Sequence, residues 1–388
     1  SGSHSHSPSR SRSTSARSGP RVLVVGAAVA LVAVAVGVTV VSRSSGKVSA
    51  TPTTAPSAHP AVSKLPLNIV AVNPVDGASG VPSNATVSVQ FSVPLSAHSP
   101  APTLTPPVAG TWQQVTPTTM AFVSPAPLVP SSAETITVPA GTGGILGAAG
   151  QTLAQGATVH FGVAPGSTLR LQQLLAQLGY LPVSFVPAHP LAAPQELAQP
   201  QEGTFTWRFS EPSDLVAQWT PGASNVLTKG AIMRFEDKHG MTTDGQAGPG
   251  VWSALLADVS TGAISSDPYN YVLVTKALPQ RATVYSNGAP VYSTLANTGV
   301  AAAPTDSGTF PVFEHLTVTT MRGTNPDGSK YVDPGIPWVS YFNGGDALHG
   351  FDRPGYGYPQ SVGCVELPPS NAAVVFPYTP IGTLVTVA

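Results

Sequence analysis

The sequence has a single cysteine, Cys364, in 388 residues. That excludes an internal disulfide framework and any Cys-rich zinc or iron–sulfur site, so whatever this thiol does it does alone. Charge is scarce as well: Asp, Glu, Lys and Arg make up 9% of residues and the formal net charge is −1, against roughly 25% charged residues in ordinary soluble domains. The chain therefore lacks the basic face with which a nucleic-acid binder displaces counterions from phosphates. Its nine histidines are scattered singly, and none beyond the first apolar segment has His-x-x-x-His spacing. No zinc-peptidase ligand set is offered, and neither a metal nor a cofactor is expected.

What is abundant is proline and glycine, 41 and 38 residues respectively, a density that points to turn-rich β structure joined by spacers. Residues 1–20 are rich in Ser, Arg and His and contain no acidic side chain; they read as a cytoplasmic tail. Val22 to Val41 is apolar throughout, about the 20 residues needed to span a bilayer. Arg10, Arg12, Arg17 and Arg21 precede it, so the positive-inside bias predicts a single-pass anchor over 21–42 with the remainder extracytoplasmic. The competing reading is a cleavable signal peptide ending near Val48-Ser49-Ala50. Residues 43–65, with Pro52, Pro56 and Pro60, read as an extended linker.

Beyond the linker, Thr86–Phe91, Glu134–Val138 and Thr158–Phe161 alternate polar and apolar residues. Period two predicts half-buried strands, separated by turns such as Pro74-Val75-Asp76-Gly77. Residues 66–164 are thus expected to form a β-sandwich, and they resemble bacterial Ig-like domains that open on a Pro-x-Asp-Gly turn, with Trp112 as a candidate core residue. From Leu169 to Leu178 the leucines recur largely at three- and four-residue intervals and stop at Gly179-Tyr180, the pattern of a short amphipathic helix. A second such segment runs from Ala231 to His239, followed by an Asp244-Gly245 turn and a third segment through Leu255. Residues 165–262 resemble small three-helix peptidoglycan-binding domains. They depart from them in a longer Pro-rich stretch, from Pro182 to about Gly222, between the first two helices. A helical docking domain that binds nothing is the alternative.

Residues 268–388 return to period two, with Tyr271–Val274, Ala282–Tyr285, a Ser286-Asn287-Gly288 turn and Val291–Leu295. They end in Ala347-Leu348-His349-Gly350 and then Gly357 through Pro368, which contains Ser361-Val362-Gly363-Cys364. A thiol, an upstream imidazole and a glycine before the nucleophile are the minimal kit for thiol acyl transfer. Taken singly, Cys364 reads equally well as a small buried hydrophobe and His349 as a satisfied core residue.

This segment resembles the catalytic domain of the L,D-transpeptidases (YkuD-like), whose signature is His-Gly followed by Ser-His-Gly-Cys. The likeness covers about 120 residues. It includes Pro304-Thr305 to Phe310, Asp333 to Trp338, Tyr341-Phe342, and a closing strand over Val385–Val387. The resemblance implies a mainly β multidomain enzyme with Cys364 as nucleophile, His349 as general base and acid, Ser361 as a supporting hydroxyl and Gly363 shaping the oxyanion site. It implies Trp338, Tyr341, Phe342 and Gly350 as substrate-cleft residues. It further implies stem peptides and glycan strands of peptidoglycan as partners, and carbapenems as inhibitors. Val362 replaces the family's second histidine, and Glu366 stands where Asn or Arg is usual. A catalytically weak wall-binding anchor is the alternative; a sortase is disfavoured because no Arg closely follows Cys364.

Overall fold

Two four-stranded sheets, a helical module and a pair of further sheets follow one another in the computed structural model, which describes residues 65–388. The expected cytoplasmic tail, the 21–42 anchor and all but the last residue of the linker lie outside the described residues. Among the described residues no helix is long and apolar enough to cross a membrane.

The first module packs one sheet, in the order β1 (Ile69–Asn73), β3 (Val87–Phe91), β6 (Thr119–Val123) and β5 (Thr111–Thr116), on another. The second is ordered β2 (Ala78–Val81), β8 (Ala157–Val163), β7 (Ala133–Val138) and β4 (Thr103–Thr105). The alternating stretches read from the sequence lie in β3, β7 and β8. Their inward residues Val87, Val89, Phe91, Ile136, Val138, Val159 and Phe161 form one apolar core. The Asp76-Gly77 turn is pinned to β8: Asp76 Oδ1 accepts the N–H of His160 (2.9 Å) and the Gly77 N–H donates back to the His160 carbonyl (2.8 Å). Gly77 needs a positive φ there, +73°, which a residue without Cβ adopts freely. Trp112 only edges this core, half-buried against Phe122.

The helical module contains α1 (Thr168–Gln177), α2 (Ser213–Val216), α3 (Val226–Lys238) and α4 (Pro249–Thr261). Ser167 and Asn225 cap α1 and α3 by accepting the N–H groups of Arg170 and Thr228, and Gly262 at φ +72° ends α4, each device satisfying helix-end groups that have no partner within the helix. Leu174, Leu175, Leu227, Phe235, Trp252 and Leu255 fill its core. The three helices expected from the sequence are α1, α3 and α4. The Pro-rich stretch folds into a hairpin of β9 (Val183–Pro187) and β10 (Gly203–Trp207), and α2 follows it. Buried Arg170 ties this insertion to α1, donating to the Leu197 carbonyl (2.8 Å) and to Gln201 (3.1 Å). Glycine also sets how α3 meets the last module, since a Cβ on Gly230 would fall 2.6 Å from the Gly382 carbonyl oxygen.

The last module has a five-stranded sheet ordered β13 (Ala289–Leu295), β12 (Arg281–Ser286), β11 (Asn270–Thr275), β19 (Leu384–Val387) and β14 (Gly308–Pro311). A second sheet is ordered β15 (Glu314–Thr324), β16 (Lys330–Asn343), β17 (Asp346–Gly350) and β18 (Val365–Leu367), with helix α5 (Pro369–Val375) after it. The predicted closing strand is β19, parallel to β11. Asn297 and Gly299 pair with Glu366 and Ser361 as single bridges, joining the segment after β13 to the loop that carries the cysteine.

Candidate active site

β17 and β18 run parallel, with Leu348 opposite Val365, His349 opposite Glu366 and Gly350 opposite Leu367. Parallel strands need a crossover, and here the crossover is the loop 351–364, which ends on Cys364. The topology therefore brings His349 and Cys364, 15 positions apart in sequence, onto adjacent strands, with Cys364 just before β18 and His349 paired opposite Glu366, two residues further along it. Both line a cavity of about 200 Å³, together with Ser361, Val362 and Glu366.

Buried hydroxyls and amides hold the cysteine turn. Thr305 Oγ1 donates to the Gly363 carbonyl (2.6 Å) and accepts the Gly299 N–H (2.9 Å). Ser361 Oγ donates to the Cys364 carbonyl. With both carbonyls fixed in this way, the N–H groups of Gly363 and Cys364 have no acceptor among the described residues, the condition for an oxyanion site. Gly363 has φ +115°, and a Cβ there would collide with the Asp346 carboxylate. Glycine is thus required twice over, by conformation and by space. Asn297 completes the frame: its backbone N–H and C=O both pair with Glu366 (2.9 Å each), and its Oδ1 accepts the Gly357 N–H (3.0 Å).

His349 is 3% exposed, and its Nδ1 lies 3.1 Å from the Gly350 carbonyl. A carbonyl can only accept, so Nδ1 carries the proton and Nε2 keeps the lone pair that a base requires. Burial pushes its pKa below the ordinary histidine value, chiefly by desolvating the imidazolium. Burial pushes the Cys364 thiol up to about 12; an N–H from Ala347 opposes this, while the Asp346 and Glu366 charges add to it. The thiol itself donates to the Gly345 carbonyl, 3.6 Å away, and burial favours the neutral form of both thiol and imidazole. Asp346 is itself raised to about 6 by burial, with Asp306 nearby adding to the effect.

The structure redistributes the expected substrate residues. Phe342 is 2% exposed and belongs to the core between the sheets, so its placement in the cleft is corrected: on β16 it points to the opposite face from Tyr341. Trp338 is also withdrawn from the cleft. Its backbone takes φ +60° and its ring packs on Phe376, 5.4 Å between centroids. Gly350 backs onto Pro369 and Pro337 and contributes only its carbonyl to His349. Tyr341 stays near the chemistry, packed in the small cluster that includes Cys364, where burial and the facing thiol raise its pKa. His315 stacks on Phe376 with ring centroids 3.7 Å apart, a packing role.

The sequence reading passed over the long β15–β16 hairpin. It covers the cysteine and supplies Met321, Asn325, Tyr331, Asp333 and Ile336 to the cavity wall. The alternation of Tyr331, Val332 and Asp333 marks a strand, but only the folding-over of the hairpin assigns that strand to the cleft. Phe351 and Arg353, from the loop after His349, complete the wall. Among the described residues no cluster of His, Cys, Asp and Glu is arranged to hold a metal ion.

Residues 269–387 match the L,D-transpeptidase catalytic domain family (YkuD), and residues 63–163 match the bacterial Ig-like domain family (Big_5). No curated protein matches the chain. Among solved structures, an L,D-transpeptidase in complex with imipenem aligns at 14% identity over 84% of this chain and 100% of its own, with a TM-score of 0.29. An L,D-transpeptidase from Mycobacterium smegmatis aligns at 13% identity over 84% and 100%, with a TM-score of 0.28. The catalytic domain of the E. faecium L,D-transpeptidase aligns at 28% identity over 31% of this chain and 96% of its own, with a TM-score of 0.29. The module that carries Cys364 and His349 thus matches the L,D-transpeptidase catalytic domain family, and the N-terminal sandwich matches the bacterial Ig-like domain family.

Proposed function

We propose that this chain is a peptidoglycan L,D-transpeptidase that works through a Cys364 thioester. The observation that carries the reading is that Cys364 and His349 line one cavity, the imidazole with Nδ1 tied to the Gly350 carbonyl, within the segment that matches the family. The acyl donor is a tetrapeptide stem. The Cys364 proton passes to His349 Nε2 as sulfur attacks the carbonyl before the terminal D-Ala, and the N–H groups of Gly363 and Cys364 take the oxyanion. Collapse breaks the C–N bond, the imidazolium gives its proton to the departing D-Ala amine, and a thioester remains. An amine from a neighbouring stem then attacks and loses its proton to His349, and as the C–S bond breaks the imidazolium returns that proton to the departing Cys364 sulfur, yielding the cross-link and the starting thiol. Burial favours the neutral form of both thiol and imidazole, so His349 serves as the base that takes the thiol proton.

Around this chemistry we propose the placement read from the sequence: an anchor and linker that hold the chain at the outer face of the membrane, and a helical module that grips glycan strands. Cys364→Ala is expected to abolish both D-Ala release and the mass gain on exposure to a carbapenem, read by intact mass. Turnover in that variant would refute the assignment. A second reading, a wall-binding anchor with little activity, is favoured by Val362 in place of an imidazole and by the raised thiol pKa. It predicts muropeptide retention unaffected by alkylation of the thiol.

A further inference from the structure

Glu366 lies two residues beyond Cys364 and is only 4% exposed. A buried carboxylate without a partner is costly, and here both oxygens are engaged. Arg353 Nε–H donates to Oε2 at 2.8 Å and Nη2–H to Oε1 at 2.6 Å, the two-point match of a planar guanidinium to a carboxylate. Arg353 stands four residues after His349, on the loop leaving β17. Its guanidinium lies over the Phe351 ring, 4.6 Å from the centroid, and that ring meets the His349 imidazole edge-on at 6.0 Å. Tyr356 fixes the same loop, its hydroxyl accepting the Arg353 N–H (3.1 Å) and donating to the Phe351 carbonyl (2.6 Å). Glu366 is also the residue opposite His349 in the strand register.

We propose that Arg353 and Glu366 act together as a positioning pair for acyl transfer, fastening the loop after the base to the strand after the nucleophile while cancelling each other's charge beside the reacting groups. The proposal rests on the thiol acyl-transfer reading of this cleft and makes Glu366 a residue matched by its own counter-ion, not a degenerate position. The groups facing the thiol are Asp346 on β17, Glu366 on β18, and Tyr331 and Tyr341 on β16. Those facing the imidazole are Glu366, Arg353 and Asp333. Breaking the pair from either side leaves one uncompensated charge among them, negative or positive according to which partner is removed.

Cys364 is the sole cysteine, so iodoacetamide alkylation of the full chain, followed by intact mass across pH, reports this thiol alone and needs no turnover. Below the thiol pKa the alkylation rate at a given pH follows the thiolate fraction, so Arg353→Gln, which leaves the carboxylate, is expected to slow alkylation about tenfold, and Glu366→Gln, which leaves the guanidinium, to speed it by a similar factor. The exchange variant Arg353→Glu with Glu366→Arg should return the rate to the parental value. Shifts of the same sign in both single variants, or no shift, would overturn the pair's role, and the opposite signs decide the matter even if the exchange variant does not fold. Carbapenem acylation of the unaltered chain tests the enzyme reading separately. Alkylation shifts without acylation support the pair and remove the enzyme; acylation without shifts does the reverse.

Discussion

The sandwich and the last module are both built from strands with period-two alternation, yet they bury different things. The sandwich core is a continuous set of Val, Ile, Leu and Phe side chains between two sheets. The last module has a comparable apolar core, but around its cysteine turn it also buries Gln280, Asn297, Thr298, Thr305, His349, Ser361 and Glu366. Each of these has a hydrogen-bond partner, as buried polar groups require. Gln280 and Thr298, for example, exchange two bonds of 2.8 Å. A module that only has to hold its shape can leave its interior to the hydrophobic effect. The last module seats its thiol and imidazole on directional bonds, which fix side-chain geometry more tightly than apolar packing does.

Mutation can break this contrast, most severely at the imidazole. His349→Ala should retain the fold and cut carbapenem acylation by about 10²- to 10⁴-fold, the usual contribution of a positioned base; acylation at the parental rate would remove His349 from the mechanism. The opposite pole is Ile136 in the sandwich, fully buried. Ile136→Ala should cost about 2–5 kcal/mol by denaturant unfolding and leave acylation unchanged while the chain stays folded. Thr305→Val falls between the two. It removes the donor to the Gly363 carbonyl, with an expected cost of about 1–3 kcal/mol, and unlike Ile136→Ala it should slow acylation as well.

The smallest expected effect lies between the helical insertion and the last module. Both Glu211 carboxylate oxygens are buried without a hydrogen-bond partner, and burial raises the group to about 7. The folded chain then holds a proton that the unfolded chain gives up near the ordinary carboxylate value. Stability is accordingly full at low pH and is lost as pH rises through about 7. Glu211→Gln should recover about 1–3 kcal/mol at mildly alkaline pH and flatten the profile, measured by unfolding at several pH values. A residual slope should remain from Glu236, also raised to about 7 by burial. An unchanged profile would show that Glu211 is solvated in the folded chain.

The strands were legible because alternation is a local property. Val87–Phe91 and Glu134–Val138 carry their inward faces in the order of their residues. A helix end was legible at Gly179 for the same reason, where φ is positive. The Pro-rich insertion was not, because its hairpin is held by Arg170 from a helix some 30 residues away. Nor were Thr305 and Asn297, whose side chains acquire meaning only against Gly363 and Gly357, or Phe342 and Tyr341, adjacent residues that a strand sends to opposite faces.

By itself the sequence determined which chemistry was available: one thiol, one histidine a short loop before it, and a glycine where the turn demands it, all written in residue type and spacing. Tertiary structure alone decided how that chemistry is surrounded. It folded the β15–β16 hairpin over the thiol, sent Trp338 and Phe342 away from it, and brought Arg353 onto Glu366. Burial, charge pairing and the direction of a side chain depend on contacts between segments far apart in the chain, and no local pattern of residues encodes them.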